Sequence, residues 1–255
     1  MSKEAKNPYE LKFIKYFMPS IRLRFPDEVL TNITLKELYD MLDPTESSLY
    51  QVKSIVYLDS KTKLVYVKGD PTDCKPFNGS LTFVICLKDA CESQKSIIAK
   101  WFVPTKSSSS NIHICNGDNI DLICDIMKWL SKTYVSYDAT DAECHIEQVN
   151  SKFELQGISQ IPLHKVEQSL TEANAEISIS YNAKVNPPKL VIRFIKPKFT
   201  AAVFRSNIIL FLGLKAPNNA VFHEQFNAAI IAFESIFFES ISKLILENEI
   251  DLSQN

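Results

Sequence analysis

PPKLVIRFIKPKFTAAVFRSNIILFLGLK, residues Pro187–Lys215, spells three short β-forming runs separated by two turns. LVIRFI, FTAAVF and IILFLGLK are rich in β-branched and aromatic residues. Lys196-Pro197-Lys198 and the polar Arg205-Ser206-Asn207 punctuate them, since proline and short polar residues favour turns. Inside the stretch lie Lys189, Arg193, Lys196, Lys198 and Arg205, and no acidic residue. A basic, apolar antiparallel meander suits a polyanion, because each phosphate neutralised by a cation releases counterions. The plain alternative is a solvated sheet edge guarded by lysines.

The meander is exceptional within its own chain. Net charge over 255 residues is −2, so the chain as a whole is no magnet for nucleic acid. From Lys184 to His223 there are seven Lys/Arg and no Asp/Glu, whereas from Glu224 onward there are six acids and one lysine, Lys243. Hydrophobic residues make up 45%, enough for a sizeable core, and only 5 glycines argue against glycine-rich phosphate loops. Six cysteines (Cys74, Cys86, Cys91, Cys115, Cys124, Cys144) show no C-x-x-C spacing, and His113, His145, His164 and His223 are dispersed, so no metal site is expected. Cys124 falls on an apolar helix face and reads as core. There is no signal pattern and no uncharged run long enough for a bilayer, so no membrane association is expected, and reduced thiols inside the cell are. Sequences typical of serine hydrolases, phosphate loops and zinc proteases are missing, which leaves no support for catalysis, a cofactor or a small-molecule substrate.

Two halves share one order of elements. In the first, Ser20–Phe25 is a strand, Thr34–Leu42 a helix with Thr34 and Glu37 in capping-box spacing, and Gln51–Leu58, Lys63–Lys68, Leu81–Leu87, Ile97–Phe102 and Asn111–Cys115 are strands. Gly117 precedes a helix over Ile120–Leu130. In the second, Phe153–Gln156 is a strand, Leu163–Leu170 a helix and Glu176–Tyr181 a strand. The meander follows, then a long helix over Ala220–Leu246, too apolar to stand free. The expected division is a lead-in over 1–19, repeats over 20–130 and 150–255, and a polar linker over 131–149. The tetraserine Ser107–Ser110 reads as a hairpin loop.

The second half resembles the C-terminal repeat of the TATA-box-binding protein family. The resemblance rests on Pro188, Leu190–Arg193, Lys196-Pro197-Lys198, Val203-Phe204, Ile208–Leu212 and Gly213-Leu214-Lys215, which follow the family's order over about thirty residues. Phe77–Ile85, Ala99–Phe102 and Asn111–Gly117 resemble the other repeat less closely. The resemblance implies an α+β fold of two repeats forming a ten-stranded, curved antiparallel saddle, with long helices on its convex face. It also implies a role in transcription initiation, with double-stranded A·T-rich DNA in the concave face and general transcription factors or RNA polymerase as partners. Phenylalanines would wedge between base steps from the minor groove.

Carried over by position, Phe204 is one wedge and Phe102 its counterpart, with Phe77 the second wedge of the first repeat. Leu210 and Leu212, and likewise Ile114 and Asn116, would face the groove. Arg193, Lys196, Lys198, Arg205 and Lys215 would hold phosphates. Asn186 and Pro187 stand where the family's remaining wedge is aromatic, and Glu154 on the first strand of the second half would repel phosphates. Such divergence suits a remote member, of the kind encoded by large DNA viruses of eukaryotes, acting in the nucleus or in a host-cell viral factory. The alternative is the same fold serving as a protein-interaction module without independent DNA binding.

Overall fold

The computed structural model describes residues 9–30, 32–88, 96–105, 109–171 and 177–247. From the expectations above, residues 1–8 of the lead-in, Cys91, Ser107, Ser108, Glu176 and the end of the second repeat over 248–255 lie outside these residues. The first half of the chain supplies β1 (Glu10–Arg24), α1 (Leu35–Met41), β2 (Tyr50–Leu58), β3 (Val65–Gly69), β4 (Leu81–Leu87), β5 (Ile97–Phe102), β6 (Asn111–Ile114) and α2 (Ile120–Val135). The second supplies β7 (Cys144–Gln156), α3 (Leu163–Thr171), β8 (Ile177–Asn182), β9 (Lys189–Phe194), β10 (Phe199–Phe204), β11 (Ile208–Ala216) and α4 (Asn219–Leu246). Eleven strands are hydrogen-bonded in the order β3-β2-β4-β5-β6-β1-β7-β11-β10-β9-β8. The α+β class and the large antiparallel sheet are as expected. The eleventh strand is β3, an edge strand beyond β2 with no counterpart beyond β8.

The chain forms two compact units that do not follow the halves. The first draws its described residues from 18–148 and 215–221, the second from 9–17, 149–214 and 222–247. Residues 10–19 of the segment read as a lead-in are the opening of β1. The segment read as a linker holds the last turn of α2, a 3-10 turn over Asp141–Glu143 and the start of β7. Its polar residues are structural: Ser131 donates to the Lys128 and Tyr137 carbonyls at 2.9 and 2.8 Å.

In the first unit both helices lie on one side of the strands. Thr34 and Glu37 close the expected capping box: Thr34 N–H donates to Glu37 Oε2 at 2.8 Å, and Glu37 N–H donates to Thr34 Oγ1 at 3.2 Å. From α1, the Tyr39 ring meets Tyr57 at 5.5 Å and Tyr66 at 6.4 Å. From α2, Tyr134 meets Phe83 at 5.6 Å and Trp101 at 6.4 Å. Side chains alternate along a strand, so Ser54, Val56, Thr82, Val84, Ile98, Lys100 and Phe102 occupy the opposite face. The register agrees, pairing Ser54 with Val84, Val56 with Thr82, Val84 with Ile98 and Thr82 with Lys100.

The second unit repeats this pattern. Phe211 on β11 is fully buried, 4.6 Å from Phe153, 4.8 Å from Phe199 and, on α4, 5.2 Å from Phe233. Phe222, Phe226, Phe233, Phe237 and Ile241 form the buried stripe of α4, spaced four or seven residues apart as a helix face requires. Each contributes about 1.5–3 kcal/mol by leaving water, so the aromatic seam accounts for much of the cohesion of this unit. Gly213 adopts φ +75°, and its N–H donates to Asn150 Oδ1 at 3.0 Å. The buried set steps there from Ile209 and Phe211 to Leu214 and Ala216, the one-residue slip of a β-bulge.

Candidate nucleic-acid interface

The meander places its candidate residues on the face away from α4. Cross-strand pairing aligns Leu212 with Thr200, Leu210 with Ala202, Thr200 with Arg193, Ala202 with Val191 and Phe204 with Lys189. Phe204, Leu210 and Leu212 are half-buried while their neighbours Val203, Ile209 and Phe211 are fully buried. A strip of Val191, Ala202, Phe204, Leu210 and Leu212 therefore faces away from the core. Lys189 and Arg193 flank it on β9, and the exposed Ser178, Ser180 and Asn182 lie beyond on β8. Lys196 and Lys198 are exposed in the turn between β9 and β10, and Lys215 is exposed near the end of β11. Arg205 sits in the next turn, its Nε donating to Gln160 Oε1 at 3.1 Å. Among the described residues none of these cations pairs with a carboxylate. On β7, Lys152, Glu154 and Gln156 alternate with the buried Phe153 and Leu155 as the sequence predicts.

In the first unit the two candidate phenylalanines meet. Phe77 and Phe102 lie 6.0 Å apart edge to face, and Lys100 Nζ stands 4.3 Å above the Phe77 ring. Phe77 belongs to the connection before β4 rather than to a strand. Ile114 is a correction: it is fully buried, paired with Ala99 and Ile21. Gly213 lies within β11, so counting back from it keeps the faces in phase, whereas β6 ends at Ile114, three residues before Gly117. A one-residue slip flips every side chain, and His113 takes the place given to Ile114. Asn116 is also reassigned. Its Oδ1 accepts from Ile98 N–H and its Nδ2 donates to the Ser96 carbonyl, both at 2.9 Å, extending the ladder beside β5.

Around His113 lies a charged cluster that was legible in the alternation of SIRLRF but not singled out. Arg22 and Lys100 are its cross-strand neighbours. Glu147 approaches Arg22 at 3.1 Å and Arg24 at 3.7 Å, and Ser20 Oγ lies 2.9 Å from His113 Nε2. Glu147 thus neutralises part of the positive charge on this face. Burial, and then the neighbouring Arg22, hold the His113 imidazole below its ordinary range. A depressed histidine stabilises the fold above its unfolded pKa of 6.5, and that stability is lost as pH falls below it. We expect urea unfolding to show stability declining below about pH 6.5, with the decline shallower in His113→Gln.

No family model and no curated protein matches this chain. A solved structure described as Methanococcus jannaschii TBP is similar to it at 14% identity and a TM-score of 0.47, over 90% of this chain and 99% of that one.

Proposed function

We propose that this chain is a transcription-initiation factor of the TATA-box-binding type, which engages duplex DNA through the helix-free strand face of its second half. The observation that carries the reading is the conjunction of Phe204, Leu210 and Leu212 on one face with cations that have no carboxylate partner among the described residues. An apolar strip with a half-exposed aromatic ring fits the floor of a minor groove and the gap of an opened base step. Mobile lysines and arginines around it fit the phosphates. The sequence motif running from Pro188 to Lys215 supports the same reading independently.

Titration of an A·T-rich duplex at several salt concentrations tests it. Binding should weaken linearly in log–log form as salt rises, donor and acceptor dyes at the duplex ends should draw together, and Phe204→Ala should abolish that bend. Absence of binding at low salt sinks the proposal. A second reading, a protein-interaction module of the same fold, is favoured by Glu147, which already occupies the arginines of the first half. Capture of transcription proteins by a chain that ignores duplex DNA would establish it.

A further inference from the structure

The face of the first unit that matches this interface is not bare. β3 and β4 flank β2 on opposite sides, and both run antiparallel to it. They are therefore parallel to each other, and parallel strands need a crossover. β3 ends with Gly69 beside Ser54, and β4 begins with Leu81 beside Tyr57. Residues 70–80 must cross β2, and two contacts show on which side. Phe77 packs on Lys100 and Phe102, both on the helix-free face. Burial raises the Cys74 thiol, and Lys100 acts against that shift from nearby. The first end is tied down, Asp70 N–H donating to the Lys53 carbonyl at 2.8 Å, and before β4 the segment closes a turn of its own, Ser80 N–H donating to the Phe77 carbonyl at 3.3 Å.

Solvent access agrees. On that face Ser54 and Thr82 are 0% exposed, Val56 is 1% and Val84 7%. Among the described residues the second unit has no such crossover, and on its matching face Ser178, Ser180 and Asn182 are exposed and Val191 and Thr200 half-buried, with only the small Ala202 as inaccessible at 1%. The cover is poorly matched to what it covers. The hydroxyls of Ser54 and Thr82 are buried without a hydrogen-bond partner. A permanent core rarely strands two polar groups side by side, because each loses its water without replacement. An edge of Pro, Asp and Gly residues, with its one large apolar side chain (Phe77) 48% exposed, is a weak seal.

We propose that residues 70–80 form a displaceable strap that closes the helix-free face of the first unit, so that DNA first meets the second unit alone and gains the first only when the strap lifts. This rests on the DNA-binding reading for its ligand, but not for the strap itself.

Two measurements separate these. Ser54→Cys places a nearly isosteric thiol under the strap, and its alkylation is followed peptide by peptide by mass spectrometry. Replacing Pro71 and Pro76 with Gly loosens the strap while every candidate DNA-contacting side chain, Phe77 included, stays unsubstituted. Cys124, buried on the inward face of α2, reports global unfolding in the same samples. In the loosened form the thiol introduced at position 54 should label at least tenfold faster, with Cys124 unchanged, and an A·T-rich duplex should bind at least tenfold more tightly at low salt. Equal labelling in the two forms overturns the strap. Faster labelling with unaltered duplex affinity overturns its role as a gate. Faster labelling with no duplex binding by either form supports the strap and overturns the DNA-binding reading instead.

Discussion

Phe211→Ala should cost about 3–5 kcal/mol, while Leu210→Ala, one residue earlier in the same strand, should cost less than about 1.5 kcal/mol. Phe211 is fully buried and surrounded by Phe153, Phe199 and Phe233. Three rings from three different elements cannot collapse into the space it leaves, so both the transfer loss and the cavity remain. Leu210 faces away from α4 and gives up only part of its packing on Ala202 and its neighbours. With natural stabilities of about 5–15 kcal/mol, the first substitution removes a large fraction of the total. Urea unfolding followed by fluorescence reads both. Equal losses at the two positions would refute the assignment of faces on which the interface rests.

The second large effect is on salt dependence. Replacing Arg193, Lys198 and Arg205 together with Ala should make the log–log slope of duplex affinity against salt shallower by roughly 2–3 units, about 0.9 for each phosphate no longer neutralised. These three residues are exposed, and none is paired with an acid among the described residues. Their removal should therefore leave the fold intact, and the thermal midpoint is the control. Removing Glu147 acts in the opposite sense. Glu147→Gln frees Arg22 and Arg24, and the slope should steepen if the first unit takes part in binding. An unchanged slope in the triple variant would mean that phosphates are held elsewhere.

The fold was readable from local patterns because those patterns are strong. Alternation in SIRLRF and LVIRFI, the Thr34–Glu37 box and the spacing of phenylalanines along α4 each answer to nearest-neighbour geometry. The candidate site was readable where strand and punctuation stay in phase, as at Gly213. It failed at Ile114, because the two residues between β6 and Gly117 break that phase. Asn116 and residues 70–80 escaped for a different reason. Their roles are set by backbone groups and side chains distant in the chain, such as Ser96 and Lys100, and no local period encodes those meetings. The unit boundaries were hidden likewise, since β1 serves both units.

That sharing has a kinetic consequence. Tyr9 donates to the Phe238 carbonyl across 229 residues, and Phe13 and Tyr16 pack on Phe226. Residues of β1 therefore belong to a unit completed only by α4, far later in the chain. Until α4 is made, Phe13 and Tyr16 lack the Phe226 ring they pack on, and that part of their aromatic surface stays open to chaperones and to other nascent chains. Closure across such sequence separations is slow, so the second unit should be the later of the two to acquire protection in pulse-labelled refolding.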